Sequence, residues 1–188
     1  KHDPYSDIGL VSAEGGKDII NLTNSGYMSG YPHFALDGNA ILFTTERYGM
    51  RAHASWGSLN DAMLVFLNQD AYDKYCLSKE DYELRKELEK EQKKSAGKDT
   101  PQGKNKDKKK KYDKKDSNAD EKDDQPKDIV VELKGIEDRV VRLTPNSSDM
   151  GSTIISKDGE TLYYLAAFEG GYDLWKMNLR KKETKLLH

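Results

Sequence analysis

From Thr153 to Leu179 the chain alternates between apolar runs and turn residues, TIISKDGETLYYLAAFEGGYDLWKMNL. Thr153–Lys157 is short and β-branched, and Asp158-Gly159 behind it is a strong hairpin signal. Thr161–Ala166 is a nearly continuous apolar run, the pattern of a strand buried on both faces. Glu169-Gly170-Gly171 predicts a second turn. Beyond it Trp175, Met177 and Leu179 recur at period two, with Lys176 and Asn178 on the other face. Three strands in succession are therefore predicted. Such a meander is barely stable alone and needs neighbours.

The neighbours are copies. Pro32–Arg47, PHFALDGNAILFTTER, carries Asp37-Gly38 where the later stretch carries Asp158-Gly159, an offset of 121 residues (158 − 37). At the same offset Leu22-Thr23 matches Leu143-Thr144, and Asp7-Ile8 matches Asp128-Ile129. Short antiparallel strands repeating at a fixed period predict a propeller or a solenoid. A blade takes roughly 40–50 residues, so about 70–80 of the 121 are extra, and roughly 60 of these are assigned to one insertion.

The remaining elements follow from the same pattern. Asp7–Ser12 and Lys17–Leu22, joined by Glu14-Gly15-Gly16, read as the outer strands of a blade whose inner strands precede residue 1. Pro32–Leu36, Ala40–Thr45 and Asp61–Leu67 read as the next blade, with a long loop at Tyr48–Asn60. Asn68–Leu77 reads as a mixed connector. Ser78 then caps a helix over about 79–94, rich in Glu, Lys, Leu and Arg and held by i,i+4 pairs such as Glu89–Lys93. Ser95–Lys127 is nearly devoid of apolar residues and is expected to be disordered. Ile129–Leu133 and Arg139–Leu143 are predicted strands, and Lys185–Leu187 starts one more. The expected architecture is all-β: a partial β-propeller over 1–67 and 128–188, interrupted by a charged helical and disordered insertion at 68–127.

Composition sharpens this little. Of 188 residues, 35% are hydrophobic and 34% charged, and most of the charge sits in the insertion. A net charge of −2 gives no global basic field for nucleic acid, and one cysteine gives no disulfide framework. No run of about 18 apolar residues predicts a membrane span. Lys108–Lys115, KKKKYDKK, is diluted by Asp107, Asp113 and Asp116 and reads as a solvated tract. Asp116, Asn118 and Asp120 have the first spacings of a calcium loop, but Glu121 stands at the turn glycine and Lys127 at the final ligand.

Of the histidines (His2, His33, His53, His188), no two stand at metal-ligand spacing. His53 has Ser55 and Ser58 nearby, without an orienting acid or a Gly-x-Ser-x-Gly elbow. His33 is expected to be packed or to line a channel. Asn21-Leu22-Thr23 and Asn146-Ser147-Ser148 fit the glycosylation sequon. Trp175, Tyr163 and Tyr164 could form a stacking surface, but their strand spacing favours core, and Trp175 is expected there. No catalytic, cofactor-binding or metal residue is therefore expected, and no cofactor.

SKDGETLYYLAAFEGGYDLWKMNL and ALDGNAILFTTER resemble the TolB-type propeller repeat, with Lys157 and Leu36 in place of its usual proline. FTTERYGMRAHASWGS, NDAMLVFLNQDAYDKYCLSKED and GIEDRVVRLT are together similar to the propeller region of bacterial tricorn-like serine peptidases. The resemblance implies a non-catalytic segment that guides or filters peptides or unfolded polypeptide. It implies further blades, a PDZ-like module and serine-peptidase domains as partners, with self-association as a further expectation. The implied compartment is cytoplasmic, with periplasmic as the alternative. Two other readings stay open: a TolB-like protein-binding propeller attached to no enzyme, and a propeller gating a prolyl-oligopeptidase-type hydrolase.

Overall fold

The computed structural model describes residues 5–16, 18–51, 57–96 and 128–188. It is mostly antiparallel β-sheet. β1 (Gly9–Leu10) pairs with β2 (Ile20–Asn21). A four-stranded sheet follows, ordered β3 (Ser29–Ala35), β4 (Ala40–Thr45), β5 (Asp61–Phe66), β6 (Val140–Arg142). A second four-stranded sheet is ordered β7 (Asp149–Ile155), β8 (Thr161–Ala167), β9 (Asp173–Asn178), β10 (Glu183–Leu186). Between β5 and β6 lie two helices, α1 (Gln69–Cys76) and α2 (Lys79–Ala96). Contacts divide the chain into one unit of Lys1–Lys79 with Ile129–His188 and another of Glu80–Asp128.

The two central strands of the middle sheet are buried on both faces, because every residue of β4 and β5 is buried. Its odd face, Ile41, Phe43, Met63 and Val65, clusters with Ile8 and Leu22, beside β1 and β2. Its even face, Ala40, Leu42, Ala62, Leu64 and Phe66, clusters with Leu162, Tyr164, Ala166 and Met177 of β8 and β9. Burial of each large apolar side chain contributes about 1.5–3 kcal/mol, so the two inter-sheet layers dominate stability. The hairpin tips also meet. Leu36 and Asp37 both take left-handed backbone (φ 54 and 53). A Cβ on Gly159 would lie 2.7 Å from Leu36 Cδ2, so that turn needs glycine both for its φ of +73 and for this approach.

Four sequence expectations change. Asp7–Ser12 and Lys17–Leu22 form only two-residue strands, at Gly9–Leu10 and Ile20–Asn21. Ile129–Leu133 forms no strand. The buried Arg139 guanidinium takes the carbonyls of Glu132, Lys134 and Phe66, so carbonyls that could enter a ladder are bound by a side chain. Asn68–Leu77 is a helix. Asn68 Oδ1 caps the Ala71 amide at 2.9 Å, and Arg180 closes the other end on the carbonyls of Lys74, Tyr75 and Leu77. Finally, β8 alternates between buried and half-buried residues, because the described chain covers only one of its faces.

α2 begins with Glu80 and Asp81 in its first turn, where carboxylates favour the helix dipole. Arg85 and Glu89 pair at 3.3 Å across one turn, and Leu84 and Leu88 are half exposed, as a solvated helix requires. The expected disordered tract, the Lys108–Lys115 run and the calcium-like spacing at Asp116–Asp120 lie outside the described residues.

Candidate functional site

Two of the three sheets are tied by an aspartate, Asp7 beside β1 and Asp61 at the start of β5. Asp61 opens β5 and is fully buried. Its Oδ1 accepts hydrogen bonds from Arg142 Nε (3.0 Å), Arg142 Nη2 (2.9 Å) and Thr144 Oγ1 (2.8 Å), and its Oδ2 accepts one from Ser147 Oγ (2.8 Å). Thr144 Oγ1 in turn accepts the Ala62 amide at 3.2 Å. The same clasp stands one sheet earlier. Asp7 accepts from Thr23 Oγ1 (2.7 Å) and Asn21 Nδ2 (2.8 Å), and Thr23 Oγ1 accepts the Ile8 amide (3.0 Å). Burial would raise the Asp7 pKa, but donors on Thr23, Asn21 and Ser25 outweigh it and hold the carboxyl below its ordinary value.

The structural partner of Asp7 is therefore Asp61, not Asp128. The insertion falls between the third and fourth strands, so the third strand precedes it and the Leu-Thr strand end follows it. In the last sheet Leu187 donates to Leu174 O at 2.8 Å, as Leu143 donates to Ala62 O and Leu22 to Ile8 O. His188 thus occupies the threonine position, and among the described residues Asp173 has no side-chain donor.

The first strands carry the exposed chemistry. Among the described residues β3 and β7 are both edge strands of their sheets. Both are interrupted by a register shift in the same part of the strand, between Gly30 and His33 and between Met150 and Thr153. Yet Tyr31 is left-handed (φ 54), while its counterpart Ser152 is not. A tyrosine in that region costs free energy. Tyr31 is 83% exposed, and Phe34 on the same strand is 55% exposed. Beside this edge, the 48–60 loop starts as a narrow hairpin. Leu59 N donates to Met50 O, and a Cβ on Gly49 would meet Leu59 O at 1.7 Å. Met50 is exposed, and Arg51 sits over the rings of Tyr5 and Tyr27 while bonding Glu46 at 3.0 Å.

The other candidates scatter. His53 and Ser55 lie outside the described residues. His33 is exposed, and among the described residues its ring meets the Tyr31 carbonyl at 3.2 Å, with no serine or carboxylate beside it. Asn21 and Thr23 of the first sequon serve the Asp7 clasp, while Ser147 of the second serves Asp61 and Ser148 is buried. Tyr164 is buried and Tyr163 half exposed on the opposite face. Trp175 packs against the core but is only half buried. Among the described residues no group of three His, Cys, Asp or Glu could hold a metal. No described helix is long and apolar enough to cross a membrane.

Sequence reasoning missed Arg139 and Arg180, and placed Asp61 only as the first residue of a repeated strand. No protein-family model, no curated protein and no solved structure matches this chain.

Proposed function

We infer that the chain is a run of propeller blades forming the non-catalytic, peptide-guiding part of a tricorn-like serine peptidase. The observation that supports this best is the common register of successive sheets. Thr45 faces Asp61 in the middle sheet, and Ala166, 121 positions later (166 − 45), faces Asp173 in the last. Faces follow the same offset. Ile41 and Phe43 point to the preceding sheet, and so do Leu162 and Tyr164. Leu42 and Ala40 point to the following sheet; their counterparts Tyr163 and Thr161 lie on the half-exposed face of β8. Sheets that stack by one operation generate a ring or a helical array. First strands then share one side of that array, and there Tyr31 and Phe34 offer exposed aromatic contacts to an extended peptide.

The reading assigns hydrolysis to domains outside this chain. The test is the natural polypeptide that contains it, treated with a fluorophosphonate that labels activated serines. Peptide hydrolysis blocked by a single label outside these residues is expected, and the 188-residue chain alone should hydrolyse nothing. A label within the chain, or a natural polypeptide without serine-peptidase activity, would overturn the assignment.

A further inference from the structure

Between the middle and last sheets lies a cleft of about 280 Å³ lined by Pro145, Asn146, Tyr164, Phe168, Trp175 and Thr184. Between the first and middle sheets lies a smaller one of about 80 Å³, lined in part by Ser25, Phe43, Arg47, Met63 and Val140. The two are the same place in the repeat. Ser25, Phe43 and Arg47 correspond to Asn146, Tyr164 and Phe168 at the offset of 121 (146 − 25). Strand register matches Met63 to Trp175, and the shared Leu143 and Leu187 bonds match Val140 to Thr184. What differs is chemistry. The first cleft is lined by the charges of Arg47 and Glu137; the second has no charged residue in its lining and three aromatic rings.

We propose that the second cleft is a binding pocket for a planar apolar side chain of a peptide. The inference concerns this pocket alone and stands whether or not a peptidase is attached. Its volume is just under the roughly 300–1,000 Å³ of small-ligand clefts, which suits one side chain. Phe168 and Trp175 meet edge to face, with centroids 5.4 Å apart and planes at 81°, and Phe168 keeps half its surface exposed. Such a pair offers ring faces and edges to a third ring, because aromatic quadrupoles favour edge-to-face and offset contacts.

The polar groups suit the backbone that carries such a side chain. Asn146 is exposed and its amide has no partner among the described residues. Among the described residues the buried Trp175 indole Nε1–H has no acceptor, which leaves an unmet donor in the cleft wall. Tyr164 turns its hydroxyl to Thr184, and burial holds its pKa above the ordinary value, so the phenol stays neutral. A charged side chain would lose hydration here with no partner of opposite sign.

The test uses the whole chain with Trp56→Phe, which leaves Trp175 as its one indole. The Nε1–H resonance of Trp175 is followed while N-acetyl-phenylalanine amide, its leucine analogue or its lysine analogue is added. A saturable shift is expected with the phenylalanine amide, weaker binding with leucine, and no saturation with lysine. Phe168→Ala, at a half-exposed position, should weaken the phenylalanine amide by about two- to tenfold, the range of one aromatic pair. Asn146→Ala should weaken it in the same direction. No saturable shift with the phenylalanine amide, or unchanged affinity in both variants, would overturn the proposal. The fluorophosphonate experiment is read on a different residue and activity, so either reading can fail without the other.

Discussion

Asp61→Ala is the substitution from which most is expected. It removes one buried carboxylate and strands three donors: the Arg142 guanidinium, the Thr144 hydroxyl and the Ser147 hydroxyl. Removing one partner of a buried ion pair costs about 3–5 kcal/mol. The side chain of Arg142 is 33% exposed and can rehydrate, which favours the lower end. Taking about 3 kcal/mol, and about 2–4 °C per kcal/mol for a chain of this size, the melting temperature should fall by about 6–12 °C. Asp61→Asn preserves the shape and part of the acceptance, so its loss should be about half as large.

Asp173→Ala is the internal control. It changes the equivalent residue where no described side chain donates to it, and it should cost no more than about 0.5 kcal/mol. The assay is thermal unfolding by circular dichroism, with a double-mutant cycle between Asp61→Ala and Thr144→Val to isolate their coupling. Equal effects of Asp61→Ala and Asp173→Ala, or a cycle without coupling, would show that the clasp does not hold the third strand to the fourth.

Two further outcomes follow from side chains that sequence reasoning passed over or read differently. Arg139→Met should cost about 2–4 kcal/mol in urea unfolding, because it unpairs backbone carbonyls of Phe66, Glu132 and Lys134; Arg139→Lys should recover only part, since an ammonium cannot reproduce the fork. Asp7 sets a pH dependence: its folded pKa lies below the ordinary 3.8, so its contribution is complete above that value and is lost as pH falls through the folded pKa. The melting difference between the parent chain and Asp7→Asn should therefore be constant near neutrality and shrink below about pH 4; a difference that grows in acid would reverse the assigned sign.

The repeat was legible because it is written in turns and strand ends. Asp37-Gly38, Asp158-Gly159 and the two Leu-Thr pairs mark equivalent places, and the strands around them form. Its phase at Asp7 was not legible, since two aspartates followed by an apolar residue compete as partners and only hydrogen bonds to Thr23 and Thr144 decide. Ile129–Leu133 has strand composition, but the competitor for its Glu132 carbonyl, Arg139, acts through a fold that no local window contains. α1 was hidden for the same reason. Its composition is indifferent, and it is fixed from outside by Arg180 and by Phe66, whose ring lies 5.7 Å from Tyr72 and 5.1 Å from Tyr75. The exposed pair of Tyr31 and Phe34 was invisible in pattern, because Tyr31 precedes the predicted strand Pro32–Leu36 and Phe34 within it reads as core.

The central claim is that these sheets are successive members of one stack. Hydroxyl-radical footprinting of Tyr163, Leu165 and Leu174 in the natural polypeptide tests it most directly. These residues lie on the face of the last sheet that corresponds to the covered Leu42 face of the middle one. The stack predicts protection comparable to that of Leu42 and Leu64; labelling as fast as that of the exposed Tyr31 would contradict it.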